Sequence, residues 1–66
     1  MKNNIKSLRG ELKLTQEDLA KRIDVSRQTI NAIEKGKFDP SLPTAFRLAA
    51  VFDCTIEALF IFDPSM

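Results

Sequence analysis

Apolar residues recur along this chain at helical rather than alternating spacing, and polar residues mark where each run begins. Ile5, Leu8 and Leu12 fall at i, i+3 and i+7, which predicts an amphipathic first helix over about residues 4–13. Gly10 lies inside it, at a cost of about 1 kcal/mol relative to alanine, and nothing in the sequence shows a close contact that requires it. Thr15 then has the position of an N-cap. Asp18 completes a shortened capping box, and Leu14 and Leu19 stand at N′ and N4 as a hydrophobic staple. The second helix runs to about Ile23 and buries Leu19, Ala20 and Ile23. Asp24, which tolerates a left-handed backbone, follows it. Ser26 caps a third helix with Val25 and Ile30 as its staple. That helix runs to about Lys35 and stops at Gly36, the usual residue past a helix end. Two helices joined by so short a turn cross steeply, as a helix-turn-helix.

Residues 36–40 read as a loop, and Ser41 caps a fourth helix to about Phe52, with Pro43 tolerated in its first turn. Thr55 caps a short fifth helix carrying Ile56, Leu59 and Phe60. Asp63-Pro64 forces extended backbone there. The expected architecture is all-α, a single domain over residues 1–66 with the helix-turn-helix at about 16–35. A small two-stranded pairing of residues 60–63 with 1–3 stays open as an addition.

Composition removes most function classes. Sixty-six residues make one small domain with no room for a deep pocket, so an enzyme is not expected. With no His and only Cys54, neither a zinc site nor an internal disulfide can be assembled; no metal and no cofactor is expected. Cys54 reads as a partly buried small residue. No signal peptide and no run approaching the roughly 20 apolar residues of a membrane span is visible, so the expectation is a cytoplasmic protein with no membrane partner. The net charge of +1 conceals an asymmetry. Residues 1–37 carry nine Lys/Arg against five acids, whereas residues 38–66 carry Arg47 against four acids. A basic half is what a partner-facing cationic surface requires.

At about 100° per residue, Ile30 and Ile33 define the buried direction of the third helix. Gln28, Asn31, Ala32 and Lys35 point the opposite way, Arg27 and Thr29 lie on the shoulders, and Glu34 projects near the buried edge. Gln and Asn can pair with adenine edges, Arg with guanine, and Ala with a thymine methyl. Gln16, at the start of the second helix, sits where backbone N–H groups and the helix dipole favour a phosphate. Lys35 and Lys37 flank the loop that follows, with Lys21 or Arg22 further back. The same pattern also describes an ordinary solvated face, but such a face has no need of a rigidly turned partner helix.

Residues 15–37, Thr-Gln-Glu-Asp-Leu-Ala-Lys-Arg-Ile-Asp-Val-Ser-Arg-Gln-Thr-Ile-Asn-Ala-Ile-Glu-Lys-Gly-Lys, resemble the Cro/CI-type (Xre) helix-turn-helix regulators. The resemblance continues through Pro40-Ser41-Leu42, Ala45, Leu48-Ala49 and Ile56–Phe60, and so covers roughly residues 4–62. It implies a five-helix, lambda repressor-like fold. It also implies that Gln16 touches phosphate and that Arg27, Gln28, Thr29 and Asn31 read bases or the adjacent backbone. Arg9 and Glu34 match an ion pair between the first and third helices that also orients the Arg toward phosphate. Two positions depart from the pattern: Asp24 stands where relatives often have Gly, and Ala32 where some carry a base-reading Gln.

Leu59, Phe60, Ile61 and Phe62 form a continuous apolar run that one small core cannot take up entirely. They are expected at the centre of a homodimer, in a segment of about residues 56–64, unless Phe60 and Phe62 close the monomer core. Phe38, Phe46 and Phe52 read as core or loop anchors. The expected function is a sequence-specific regulator, a repressor that binds a palindromic double-stranded DNA operator as a homodimer. No small-molecule effector is evident. The alternative is a protein-interaction module, such as an antitoxin or a regulator-sequestering subunit.

Overall fold

The computed structural model describes residues 1–62 and 64. Its elements are β1 (Lys2–Asn3), α1 (Ile5–Glu11), α2 (Gln16–Ile23), α3 (Arg27–Glu34), α4 (Leu42–Val51), α5 (Ile56–Leu59) and β2 (Phe60–Ile61). Five helices and their order agree with the spacing of the apolar positions. The strand pairing that the sequence left open is present, antiparallel, with Lys2 opposite Ile61 and Asn3 opposite Phe60. The extended backbone expected at Asp63 lies outside the described residues.

Hydroxyl caps start four of the helices. Thr15, Ser26, Ser41 and Thr55 accept from the N–H groups of Asp18, Thr29, Thr44 and Ala58 at 3.0–3.3 Å. At α2 the box is complete, because the Thr15 N–H donates to Asp18 Oδ2 at 3.0 Å. That bond, followed by the Thr15 hydroxyl and the charges of Lys21 and Arg22, outweighs desolvation and holds the Asp18 carboxyl below its ordinary value of 3.8. A carboxyl depressed in the folded state contributes stability above its unfolded pKa and loses it as pH falls through the folded one. Asp18→Ala is therefore expected to flatten the acid limb of the stability curve below about pH 4. Equal acid limbs for variant and parent in chemical unfolding would show that the box bond is absent in solution.

The helix ends share one device. Residues 13, 24, 36 and 53 adopt left-handed backbone with φ of 57°, 59°, 74° and 51°. The next residue's N–H then reaches five residues back, from Leu14 to Arg9, Val25 to Ala20, Lys37 to Ala32 and Cys54 to Ala49. At Asp24 this agrees with the sequence. The first helix, expected to continue to Lys13, stops at Glu11 because Lys13 takes the left-handed position. Glycine, which fits that conformation without strain, lies three residues too early: a Cβ at Gly10 meets nothing within 4 Å. Gly10→Ala and Lys13→Gly are each expected to raise the unfolding free energy by about 1 kcal/mol. The readout is a higher urea midpoint at unchanged slope.

Every helix sends apolar side chains to one core. Ile5, Leu19, Ile23, Ile30, Ile33, Leu48 and Leu59 are its largest buried members, joined by Ala20, Ala45, Ala49 and Phe60. Burying each of the large ones contributes about 1.5–3 kcal/mol. Among the described residues no helix is long and apolar enough to cross a membrane.

Candidate nucleic-acid interface

Polar contacts as well as buried faces hold α2 and α3 at their crossing. Arg9 of α1 reaches α3, where Nε donates to Glu34 Oε2 at 2.9 Å and Nη2 to Oε1 at 3.2 Å. Its Nη1 donates to the Leu14 carbonyl at 2.9 Å, which fixes the chain entering α2. Only 16% of the Arg9 side chain and 6% of the Glu34 side chain are exposed. Bidentate geometry and the extra bond to Leu14 offset the loss of water by both charges. Of the two roles expected for Arg9 the structure carries the ion pair; each guanidinium nitrogen makes one bond inside the chain, and one N–H on each of Nη1 and Nη2 is not used by these bonds.

Gln16 extends this network toward the outer face. Its Nε2 donates to Glu34 Oε1 at 3.2 Å and to Asn31 Oδ1 at 3.3 Å. Both amide hydrogens are thereby committed. The capping box takes the N–H groups of Thr15 and Asp18, so those of Gln16 and Glu17 have no partner within α2. The backbone N–H of Gln16 is therefore placed where a helix start can meet an anion.

The outward face of α3 follows the angular reading in part. Arg27, Gln28 and Lys35 are exposed, and Asn31 and Ala32 are half-buried beside them. Thr29 differs: its Oγ1 lies 2.9 Å from the Ser26 hydroxyl and its N–H closes the cap, so the hydroxyl is held by its own helix start. Lys37, exposed in the following loop, has its backbone fixed by the bond to Ala32.

The apolar C-terminal run divides differently from expectation. Leu59 and Phe60 are only 0% and 8% exposed, because α5 and β2 turn them into the chain's own core, which leaves them little surface to offer a second copy. Ile61 and Phe62 do remain outside, Phe62 at 71%. Phe46, expected as core or anchor, is instead 59% exposed, with Leu42 one turn away on the same side of α4. Ala45, Leu48 and Ala49 take the core side of that helix. The signal was legible: α4 is apolar nearly all round, and a helix on the surface of a small domain buries only one side. Shallow apolar depressions of about 220 and 530 Å³ flank α4, lined by Leu42, Ala45 and Ile56 and by Phe46, Ala49 and Ile56 respectively.

Comparison with known proteins agrees with this geometry. A helix-turn-helix family profile matches residues 5–59, the span from α1 to α5. The chain belongs to the Cro/CI-type (Xre) helix-turn-helix family. It is 59% identical over 63 residues to an uncharacterised HTH-type transcriptional regulator of Methanocaldococcus jannaschii, covering 96% of each chain. It is 36% identical to the immunity repressor protein of Bacillus phage phi105, over 83% of this chain and 38% of the phage protein. Among solved structures it is similar to the restriction-modification controller protein C.AhdI from Aeromonas hydrophila, at 30% identity and a TM-score of 0.76 over 85% of each chain. The Cro/CI-type assignment makes the chain a member of a family of DNA-binding transcriptional regulators.

Proposed function

We propose that this regulator represses transcription by occupying a two-fold symmetric DNA operator as a homodimer. The observation that carries the DNA contact is the outward polar face of α3, buttressed by Arg9, Glu34 and Gln16 so that Asn31 is already positioned beside Gln28 and Arg27. The backbone N–H groups at the start of α2, with Lys35 and Lys37 near the end of α3, supply phosphate contacts that set register. The exposed pair Leu42 and Phe46 on α4, together with Phe62, supplies the apolar surface for a second copy, in place of the buried Leu59 and Phe60. Occlusion of a promoter needs no further domain, and no catalytic activity is proposed.

Selection from randomised duplex DNA at near-physiological salt tests this. Enrichment of a palindrome whose half-sites lie about 10 bp apart is the expected result. An unenriched pool that dissociates as salt rises would remove sequence-specific regulation. Gln28→Ala is expected to relax base preference at one position of each half-site at a cost of about 1–3 kcal/mol. Lys37→Ala is expected to weaken all duplexes alike and to reduce the log–log salt slope by about 1. Identical effects of both on every sequence would exclude direct readout by Gln28. The second reading, a protein-interaction module, draws on the same exposed Phe46 and Phe62. Sedimentation of the purified chain separates the two, since a regulator is a discrete dimer and an orphan subunit is not.

A further inference from the structure

We infer that a one-way chain of hydrogen bonds, Arg9 to Glu34, Gln16 to Glu34 and Gln16 to Asn31, fixes which end of the Asn31 amide faces the DNA and thereby selects the base it reads. The inference rests on α3 acting as the recognition helix. A Glu34 carboxylate paired with Arg9 offers only acceptors. Gln16, 3.2 Å from Glu34 Oε1, must therefore turn its NH₂ group toward it. The same nitrogen lies 3.3 Å from Asn31 and donates there too, so Asn31 must present its oxygen to Gln16. Its Nδ2, which makes no hydrogen bond among the described residues, is left on the outward side with two N–H donors. Each amide orientation is thus dictated by the one before it, starting from a buried ion pair that cannot reverse.

An outward donor meets a base edge that offers acceptors. Guanine presents two on its major-groove edge, N7 and O6, whereas cytosine presents only its N4 donor. Asn31 in this setting favours guanine and rejects cytosine at the base pair it faces. This is narrower than the asparagine–adenine pairing that residue type alone suggests. Gln16 is then a positioning residue for specificity and not merely a brace between helices.

The test is selection from randomised duplexes with the parent chain and four variants. Asn31→Ala identifies the position, as the one whose preference disappears. There the parent is expected to prefer guanine over cytosine by about tenfold or more. Asn31→Asp keeps an acceptor for Gln16 but presents oxygen outward, so the preference is expected to invert to cytosine. Gln16→Met keeps volume and removes the donor; guanine and adenine are then expected to be selected about equally, with preferences at the other positions unchanged. Gln16→Glu is expected to lose the preference as well, and a thermal melt alongside shows whether each variant is folded. Cytosine at the Asn31-dependent position in the parent pool, or a Gln16→Met pool identical to the parent's, would overturn the relay while leaving DNA recognition intact. A parent pool without any motif would overturn the recognition function and the relay together.

Discussion

Replacing Glu34 with alanine is expected to remove about 3 kcal/mol of stability and lower the Tm by more than about 10 °C. Removal of the carboxylate strands the Arg9 guanidinium in a setting where 84% of its side chain is out of water, because only 16% is exposed. The penalty is dominated by that unpaired charge and not by the net worth of the pair. It follows that Arg9→Met combined with Glu34→Leu is expected to recover most of the loss, although either change alone is damaging. Urea unfolding of the two single variants and the double variant forms the cycle that measures this. A loss below about 1 kcal/mol for Glu34→Ala would mean that the pair behaves as an exposed surface bridge.

If the proposed homodimer packs through α4, Phe46→Glu is expected to convert it to monomer, raising its dissociation constant by about 100-fold, with little change in the fold of the chain. Phe46 is 59% exposed and packs mainly outward, so its loss leaves the core on the other side of α4 untouched. Operator binding is expected to collapse alongside, because the second half-site contact is then no longer held at a local concentration of about millimolar order. Sedimentation against concentration reads the first effect, and titration of a full palindrome against a half-site reads the second. A Phe46→Glu chain that remains dimeric would move the contact to Ile61 and Phe62, where Phe62→Glu would then dissociate it.

Features encoded within one turn of the chain were legible in the sequence. The four hydroxyl caps are at Thr15, Ser26, Ser41 and Thr55, where a Ser or Thr precedes an apolar run. Glu34 falls at the core edge by helical angle alone, and its near-complete burial agrees. What escaped depends on contacts between distant segments. The sequence assigned no contact to the side chains of Asn3 and Asn4, yet Asn3 Nδ2 donates to the Ile33 carbonyl at 2.8 Å and Asn4 Nδ2 to the Ala58 carbonyl at 3.1 Å. No local pattern marks an asparagine that ties the chain start to α3. Lys13 escaped for a different reason: its left-handed backbone is imposed by the bond from Leu14 to Arg9, against the preference of lysine itself. In the candidate site, the sequence located Gln16 and Asn31 but not that they bond to one another, since their orientation is set by the crossing of two helices.

The backbone-closed helix ends carry a consequence for how such a protein diversifies. α3 ends on bonds from Gly36 to Ile33 and from Lys37 to Ala32, made entirely by main-chain atoms. The side chains of Arg27, Gln28 and Lys35 are exposed and take no part in the cap, the ion-pair network or the core. On the proposed reading, exchanging Arg27 and Gln28 changes the sequence that is recognised, and exchanging Lys35 changes the affinity, without altering the frame that presents them. Duplicated copies of this gene could therefore drift to new operators by surface substitutions alone, each intermediate remaining as foldable as its parent.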